Sequence, residues 1–165
     1  MEATGTRIGV ISDTHGLLRP EAVRALLGSD LILHAGDVCG AHVLEELGRI
    51  APVSAVRGNN DRDPWGRGLP KALSLEVEGV GIHVVHDLHD LALGDSAADV
   101  AVVVSGHSHR PLRERRGGVL YFNPGSAGPR RFRLPVTVGR LLVRGCRVSA
   151  RIVPLLWTTQ PFRTS

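Results

Sequence analysis

Five short apolar runs along this chain each end in a cluster of glycine, aspartate, asparagine or histidine, and that repeated ending narrows the fold more than any other feature. The run at 7–12 is followed by Asp13 and His15, and that at 31–34 by Gly36 and Asp37. The run at 53–56 leads to Gly58, Asn59, Asn60 and Asp61, that at 82–85 to His86, and that at 100–105 to Gly106, His107, Ser108 and His109. Apolar runs this short, bounded by turn residues, read as buried strands. In α/β sheets the carboxyl ends of strands open into one crevice where ligands bind. The chain is therefore expected to be an α/β domain that delivers five separated segments to one rim.

The connections agree with that class. Amphipathic stretches at 20–27, with Pro20 in the first turn and Gly28 as the stop, and at 41–50 predict helices between the first three strands, the alternation of βαβ units. Beyond a loop at 58–70 helices become scarce. Hairpins are expected from 73–77 and 82–85 around Glu78-Gly79, from 113–116 and 119–122 around Gly117-Gly118, and from 136–143 and 147–153 around Arg144-Gly145-Cys146. An irregular or short helical piece precedes the strand at 100–105. One domain over 1–165 accommodates all of this, with 158–165 as a loose tail.

Composition excludes several classes. No apolar run approaches the roughly 18 residues of a membrane span, and no apolar leader opens the chain, so a cytosolic protein without membrane contact is expected. Cys39 and Cys146 stand in no CxxC or CxxH arrangement and read as free thiols in packing roles. Residues 1–109 carry 8 basic and 15 acidic side chains, whereas 110–165 carry 12 basic and 1 acidic. Such asymmetry can mark a surface for polyanions. Yet all basic residues except Lys71 are arginine, the mark of a compositional bias.

The side chains gathered at the strand ends are Asp13, His15, Asp37, Asn59, His86, His107 and His109. Imidazoles with carboxylate and amide oxygens suit borderline divalent metals, and the absence of thiolates argues against structural zinc. Seven donors exceed what one such ion takes. Two ions sharing a bridging carboxylate use them naturally, and such a pair can clamp both the attacking and the leaving oxygen of a phosphoryl group. Gly36, Gly58 and Gly106 are expected to let the chain turn sharply at the strand ends.

In order and spacing, Asp13-Thr14-His15, Gly36-Asp37, Gly58-Asn59-Asn60-Asp61, His86 and Gly106-His107-Ser108-His109 resemble the signature of the calcineurin-like metallophosphoesterases. The phrases His34-Ala35-Gly36-Asp37, Val56-Arg57-Gly58-Asn59 and Asn123-Pro124-Gly125-Ser126 with Pro129-Arg130 are similar to the small bacterial and archaeal phosphodiesterase branch. The resemblance implies two packed mixed β-sheets flanked by helices, a four-layer sandwich. It implies two divalent ions, Mn²⁺ foremost with Ni²⁺, Fe²⁺, Co²⁺ or Zn²⁺ as alternatives. Asp13, His15, Asp37 and His109 would hold the first and Asp37, Asn59, His86 and His107 the second, Asp37 bridging. A bridging water or hydroxide would attack phosphorus in a small phosphate ester, with nucleotides and cyclic nucleotides among the substrates. Asp37, Asn59, Asn60 and Asp61 form the expected catalytic set.

The chain departs from the family pattern at two points. Many members carry histidine where Asn60 stands, and an amide does not protonate a leaving group. Many carry glycine where Asp87 stands; this carboxylate would either orient a ligand or restrict anionic substrates. Asp61 would orient a histidine or cap a turn, and His89 is read as a surface residue more than as one that reaches the rim. Arg57 and Arg130 would meet substrate phosphate or remain surface charges. Two rival functions are a metal-binding scaffold, as the retromer subunit of this fold is, and a nuclease served by the basic last third. A chain this short leaves little room for the extra domains of a nuclease, so nucleic acid is the less favoured partner. The oligomeric state is not legible.

Overall fold

The computed structural model describes residues 4–156, so the tail expected at 158–165 lies outside the described residues. Two five-stranded mixed sheets are formed. In the first, β1 (Thr6–Ile11), β2 (Leu31–His34) and β3 (Val53–Ala55) run parallel. The chain's last hairpin, β9 (Thr137–Arg144) and β10 (Arg147–Pro154), extends it antiparallel to β1, giving the order β10-β9-β1-β2-β3. In the second, β5 (Val80–Val85), β6 (Val100–Val104) and β8 (Val119–Asn123) run parallel. β4 (Ala72–Val77) and β7 (Leu112–Arg116) close its edges antiparallel, giving the order β4-β5-β6-β8-β7.

The parallel strands are almost continuously apolar because both of their faces are covered. Ile8, Val10, Leu33, Ile82, Val84, Val102, Val104, Phe122 and Leu141 fill the space between the sheets. On the outer face of the first sheet, Ile11, Ile32 and Val138 pack against Ala22 and Leu26 of α1 (Pro20–Leu26) and Val43 and Leu47 of α2 (Ala41–Gly48). The two packed mixed sheets match the fold that the family resemblance implies, but among the described residues α-helices flank the first sheet alone. The parallel crossover from β5 to β6 is made instead by two 3₁₀ turns, Leu88–Asp90 and Gly94–Asp99.

Local chemistry explains the remaining differences. The stretch read as a loop at 58–70 contains a one-turn helix, α3 (Pro64–Arg67), where the Asp63 side chain accepts from the Gly66 N–H and Pro64 opens the turn. One turn is too short to leave a helical period in the sequence. At the first hairpin Glu78 and Gly79 both have left-handed φ, 48° and 80°, as a type I′ turn requires. The Glu78 carboxylate accepts from Thr6 Oγ1 and from the Gly145 N–H, tying a turn of one sheet to the start and last hairpin of the other. Among the described residues no helix is long and apolar enough to cross a membrane.

Candidate metal centre

The five segments do converge, and their backbones are bent to make them do so. Asp13, His15, Asp37, His107 and His109 all have positive φ, between 46° and 69°. Non-glycine residues adopt this left-handed conformation rarely and at a cost, and such strain concentrates at functional sites. Alternating left-handed residues in Asp13-Thr14-His15 and His107-Ser108-His109 turn both outer side chains of each triplet towards the same centre. The turns after β1 and β2 are laced together: the N–H groups of Asp13, His15 and Gly16 donate to the carbonyls of Gly36, Asp37 and Val38 at 3.0, 3.0 and 2.8 Å.

Asp13 lies at the middle of the cluster. Its Oδ2 accepts from Ser12 Oγ at 2.7 Å and from the His107 N–H at 3.1 Å. Its Oδ1 is buried without any hydrogen-bond partner among the described residues. That orphan oxygen faces the Nε2 atoms of His109, His15 and His86 at 3.3, 3.9 and 3.9 Å. The Nε2 atoms of His15 and His109 are 3.4 Å apart. Burying a carboxylate oxygen unpaired is expensive. Donors about 2.1 Å from a small divalent ion stand roughly 3–3.5 Å from one another, so the spacing fits a cation held among them.

The second group lies beside the first. His86 donates Nδ1–H to the Ala35 carbonyl at 2.7 Å, which turns Nε2 towards Asn59 Oδ1 at 3.1 Å and Asp37 Oδ2 at 3.4 Å. His107 Nδ1 is 3.2 Å from Asn59 Oδ1, while its Nε2 faces Asp87 at 3.5 Å. Asp87 therefore stands behind a histidine, the arrangement by which carboxylates orient metal ligands. Two groups of donors have all their ligand atoms within 4.8 Å of one another, Asp13-His15-His109 and Asp13-Asp37-His86, and they have Asp13 in common. Asp37 Oδ2 also lies between the halves, 3.7 Å from His15 Nε2 and 3.4 Å from His86 Nε2.

Electrostatics carry the same message. Burial alone would lower the pKa of His86, but the hydrogen bond to Asp37 and the charges of Asp13 and Asp37 outweigh it and push the imidazole up to about 9. Burial would likewise raise Asp37, yet His86, the Asn60 N–H and the Asn60 side chain hold its carboxyl well below the usual range. The cluster therefore favours positive charge at its centre. At the rim, burial and the neighbouring Asp61, Asp37 and Asp13 carboxylates push the Cys39 thiol up to about 12, so its Sγ stays protonated 3.8 Å from His15 Nδ1.

Asn60 and Asp61 act on the framework. Asn60 donates its backbone N–H to Asp37 Oδ1 and its side-chain amide to Asp37 Oδ2, both at 2.8 Å. Asp61 accepts from the N–H groups of Gly58, Cys39 and Val38 at 2.8, 2.8 and 3.3 Å and has no hydrogen bond or ion pair with a histidine among the described residues. It ties the turn after β3 to the turn after β2, so its geometry is that of a turn-tying and positioning residue. His89 is exposed and pairs with Asp87 at 2.9 Å. Three further residues support the site: Ser12, which holds Asp13 Oδ2, and Asn123 and Ser126. Asn123 holds the His107 loop through Gly106 O and Ser108 Oγ, and Ser126 Oγ donates to Asp13 O. These are small polar residues at strand ends, and nothing local distinguishes them from ordinary turn formers.

Of the three glycines, only Gly36 has a left-handed φ, 99°. Gly58 and Gly106 are required for space, not for turning: a Cβ on Gly58 would strike the Asp37 carboxylate, and one on Gly106 would strike Ser12 Oγ and the Asp13 carboxylate.

His34 lies beneath the site, fully buried and satisfied. The Gly36 N–H donates to its Nδ1, so Nε2 carries the proton and donates to Thr14 Oγ1, which donates in turn to Val38 O. Burial drives its pKa from 6.5 to about 4. A histidine lowered on folding contributes stability that is complete above pH 6.5 and is lost as pH falls towards 4. His86, raised on folding in the metal-free protein, has the opposite sign and loses its contribution only as pH climbs from 6.5 through 9. Between pH 6.5 and 5 the His34 effect stands alone of the two, and the metal-free protein is expected to lose about 2 kcal/mol there from this residue. Urea unfolding of wild type and His34→Gln at both pH values checks this, and equal pH dependence in the two proteins would refute it.

A cleft of about 370 Å³ opens beside His86, His107 and Asn59, lined also by Arg57, Lys71, Asp87 and Asp90. A larger cleft of about 530 Å³, lined by Arg7, Arg113, Arg140, Arg144 and Arg151 among others, contains no candidate ligand.

Comparison with known proteins meets the geometry here. The family model described as the calcineurin-like phosphoesterase superfamily domain matches residues 6–145. A probable metallophosphoesterase of Methanothermobacter thermautotrophicus is 35% identical over 158 residues, covering 88% of this chain and 91% of its own. Phosphodiesterase YfcE of Escherichia coli K12 is 30% identical over 161 residues, covering 79% and 84%. Among solved structures, vacuolar protein sorting 29 from Cryptosporidium parvum superposes with a TM-score of 0.76 at 21% identity over 92% of each chain, a likeness of fold.

Proposed function

The chain belongs to the calcineurin-like phosphoesterase superfamily, and from that premise we propose that it is a phosphodiesterase working with two divalent cations, Mn²⁺ foremost and Ni²⁺, Fe²⁺, Co²⁺ or Zn²⁺ as alternatives. The orphaned Asp13 Oδ1, buried among three imidazole nitrogens, is the observation that carries this reading. Asp13, His15, Asp37 and His109 would hold one ion, and Asp37, Asn59, His86 and His107 the other. Bound cations would supply Lewis acidity at the phosphoryl oxygens and a water acidic enough to serve as nucleophile near neutral pH.

The chain's own residues do the rest. Ser12 and the His107 N–H fix one oxygen of Asp13 so that the other is presented to the centre. Asn60 clamps both oxygens of Asp37. Arg57 and Lys71 line the adjoining cleft and offer positive charge to a diester anion. The diester preference rests on relatives named as phosphodiesterases at about this similarity. The scaffold reading draws only on a likeness of fold, and a complete set of donors favours hydrolysis over it.

The test is turnover of bis(p-nitrophenyl) phosphate by protein stripped with chelator and reloaded with each metal. We expect hydrolysis that chelator removes and Mn²⁺ restores. Tightly held metal with no hydrolysis of any diester would leave the scaffold.

A further inference from the structure

One large apolar side chain, four residues beyond a segment tied to this site, stands almost wholly exposed. Phe132 is 93% exposed, whereas the other exposed large apolar residues, Leu17, Leu27 and Leu156, reach 38%, 55% and 37%. It stands in Pro129-Arg130-Arg131-Phe132-Arg133-Leu134-Pro135, flanked by three arginines. The Leu134 N–H donates to Arg131 O and closes a four-residue turn with Phe132 second in it. There φ is 53°, a left-handed value that glycine normally supplies at this place in a turn and that a bulky residue adopts only under strain. An apolar ring held in water on a strained backbone is unfavourable twice over, and at 93% exposure little contact among the described residues offsets it.

The turn is anchored at the metal centre. Ser126 Oγ donates to Asp13 O, the Ala127 N–H to Ser12 O, and Arg19 to Gly128 O. Gly128 lies so close against Asp13 and Thr14 that a Cβ there would strike their carbonyls. Four residues later the chain presents Phe132. Arg131 is near enough to His15 to add to the effect of burial in pushing that imidazole's pKa down. The arginine ion pairs among the described residues are Arg7–Asp30, Arg24–Glu21 and Arg116–Glu114, so the three arginines of this turn pair with no carboxylate among those residues.

We infer that Phe132 is a stacking platform for the base of a nucleoside-bearing phosphodiester, with Arg130, Arg131 and Arg133 drawing in its phosphate. This rests on the phosphodiesterase reading and adds the substrate class to it. An exposed aromatic ring interleaved with arginines is the pairing that holds a free base by its face and its backbone by charge, and it tolerates any base because every base has a π-face.

The experiment compares two diesters with the same leaving group, thymidine 5′-(p-nitrophenyl phosphate) and methyl p-nitrophenyl phosphate. In both, water's oxygen forms the new bond to phosphorus, the bond to the aryl oxygen breaks, p-nitrophenolate departs, and a proton passes to solvent. Wild type is expected to prefer the nucleosidyl ester through a lower KM. In Phe132→Gly that preference should collapse by roughly tenfold, while Phe132→Trp keeps it. Phe132→Gly should also melt at a higher temperature, since glycine accepts the left-handed turn. A preference equal in wild type and Phe132→Gly overturns the inference with the enzyme reading intact. Absence of turnover on both esters sinks that earlier reading instead. A wild-type dimer that Phe132→Gly converts to monomer would give the ring a second copy of this chain as its partner and overturn the inference too.

Discussion

Asp13→Asn is expected to cost at least about 10³-fold in metal-dependent hydrolysis, roughly 4 kcal/mol of barrier, and at the same time to stabilise the metal-free protein. The two effects share one cause. In the wild type Oδ2 is satisfied by Ser12 and His107, and Oδ1 is buried against the Nε2 atoms of three histidines with no donor of its own. The isosteric amide leaves an oxygen for Ser12 and the His107 N–H and puts an NH₂ where Oδ1 was, able to donate to the nearest ring nitrogen, His109 Nε2 at 3.3 Å. Relief of an unsatisfied buried oxygen is worth about 1–3 kcal/mol. With metal present the ranking should invert, because a ligand held at 100 times its dissociation constant stabilises the wild type by about 2.7 kcal/mol and the variant has lost a donor. Thermal unfolding in chelator and in Mn²⁺, alongside turnover, reads both effects. A variant less stable than wild type in chelator, or one that retains turnover, would remove the metal reading of Asp13.

The candidate site was legible in the sequence while much of its support was not. Candidate ligands are marked by residue type: aspartate and histidine two apart at the end of an apolar run announce themselves. What makes Asp13 and His15 point the same way is a pair of left-handed φ angles, and left-handed aspartate or histidine leaves no mark in composition or periodicity. The parallel strands were readable because double burial makes them continuously apolar. The β5-to-β6 connection was not, since 3₁₀ turns lack a sustained period. Asp61 could be read as orienting a histidine or as capping a turn, and only coordinates distinguish the two. Gly58 and Gly106 look like turn glycines until the space around them shows Asp37 and Asp13 pressed against their α-carbons. Properties that depend on one residue's own chemistry were recoverable; those that depend on what a distant segment presses against it were not.

Asn60 is where sequence and geometry together set a rate. Histidine at this place in the family would protonate the departing oxygen, and general acid assistance is typically worth 10² to 10⁴. Asn60 has no such proton to give; its amide is instead spent on Asp37 Oδ2 at 2.8 Å. The leaving oxygen must then depart as an anion or take its proton from solvent, so kcat/KM is expected to fall steeply as leaving-group pKa rises from aryl to alkyl esters. Asn60→His should recover part of this on alkyl esters. We expect a gain near the lower end, about 10²-fold, because the substitution also removes the amide that steadies Asp37, and the backbone N–H bond to Oδ1 would remain as its clamp. On p-nitrophenyl esters, whose leaving group needs no proton, the same variant should gain nothing and lose a little through the loosened carboxylate. The opposite responses of the two ester classes separate acid catalysis from a general improvement of the site. A flat dependence on leaving-group pKa in the wild type, or an Asn60→His protein no better on alkyl esters, would mean that the proton reaches the leaving oxygen by another route.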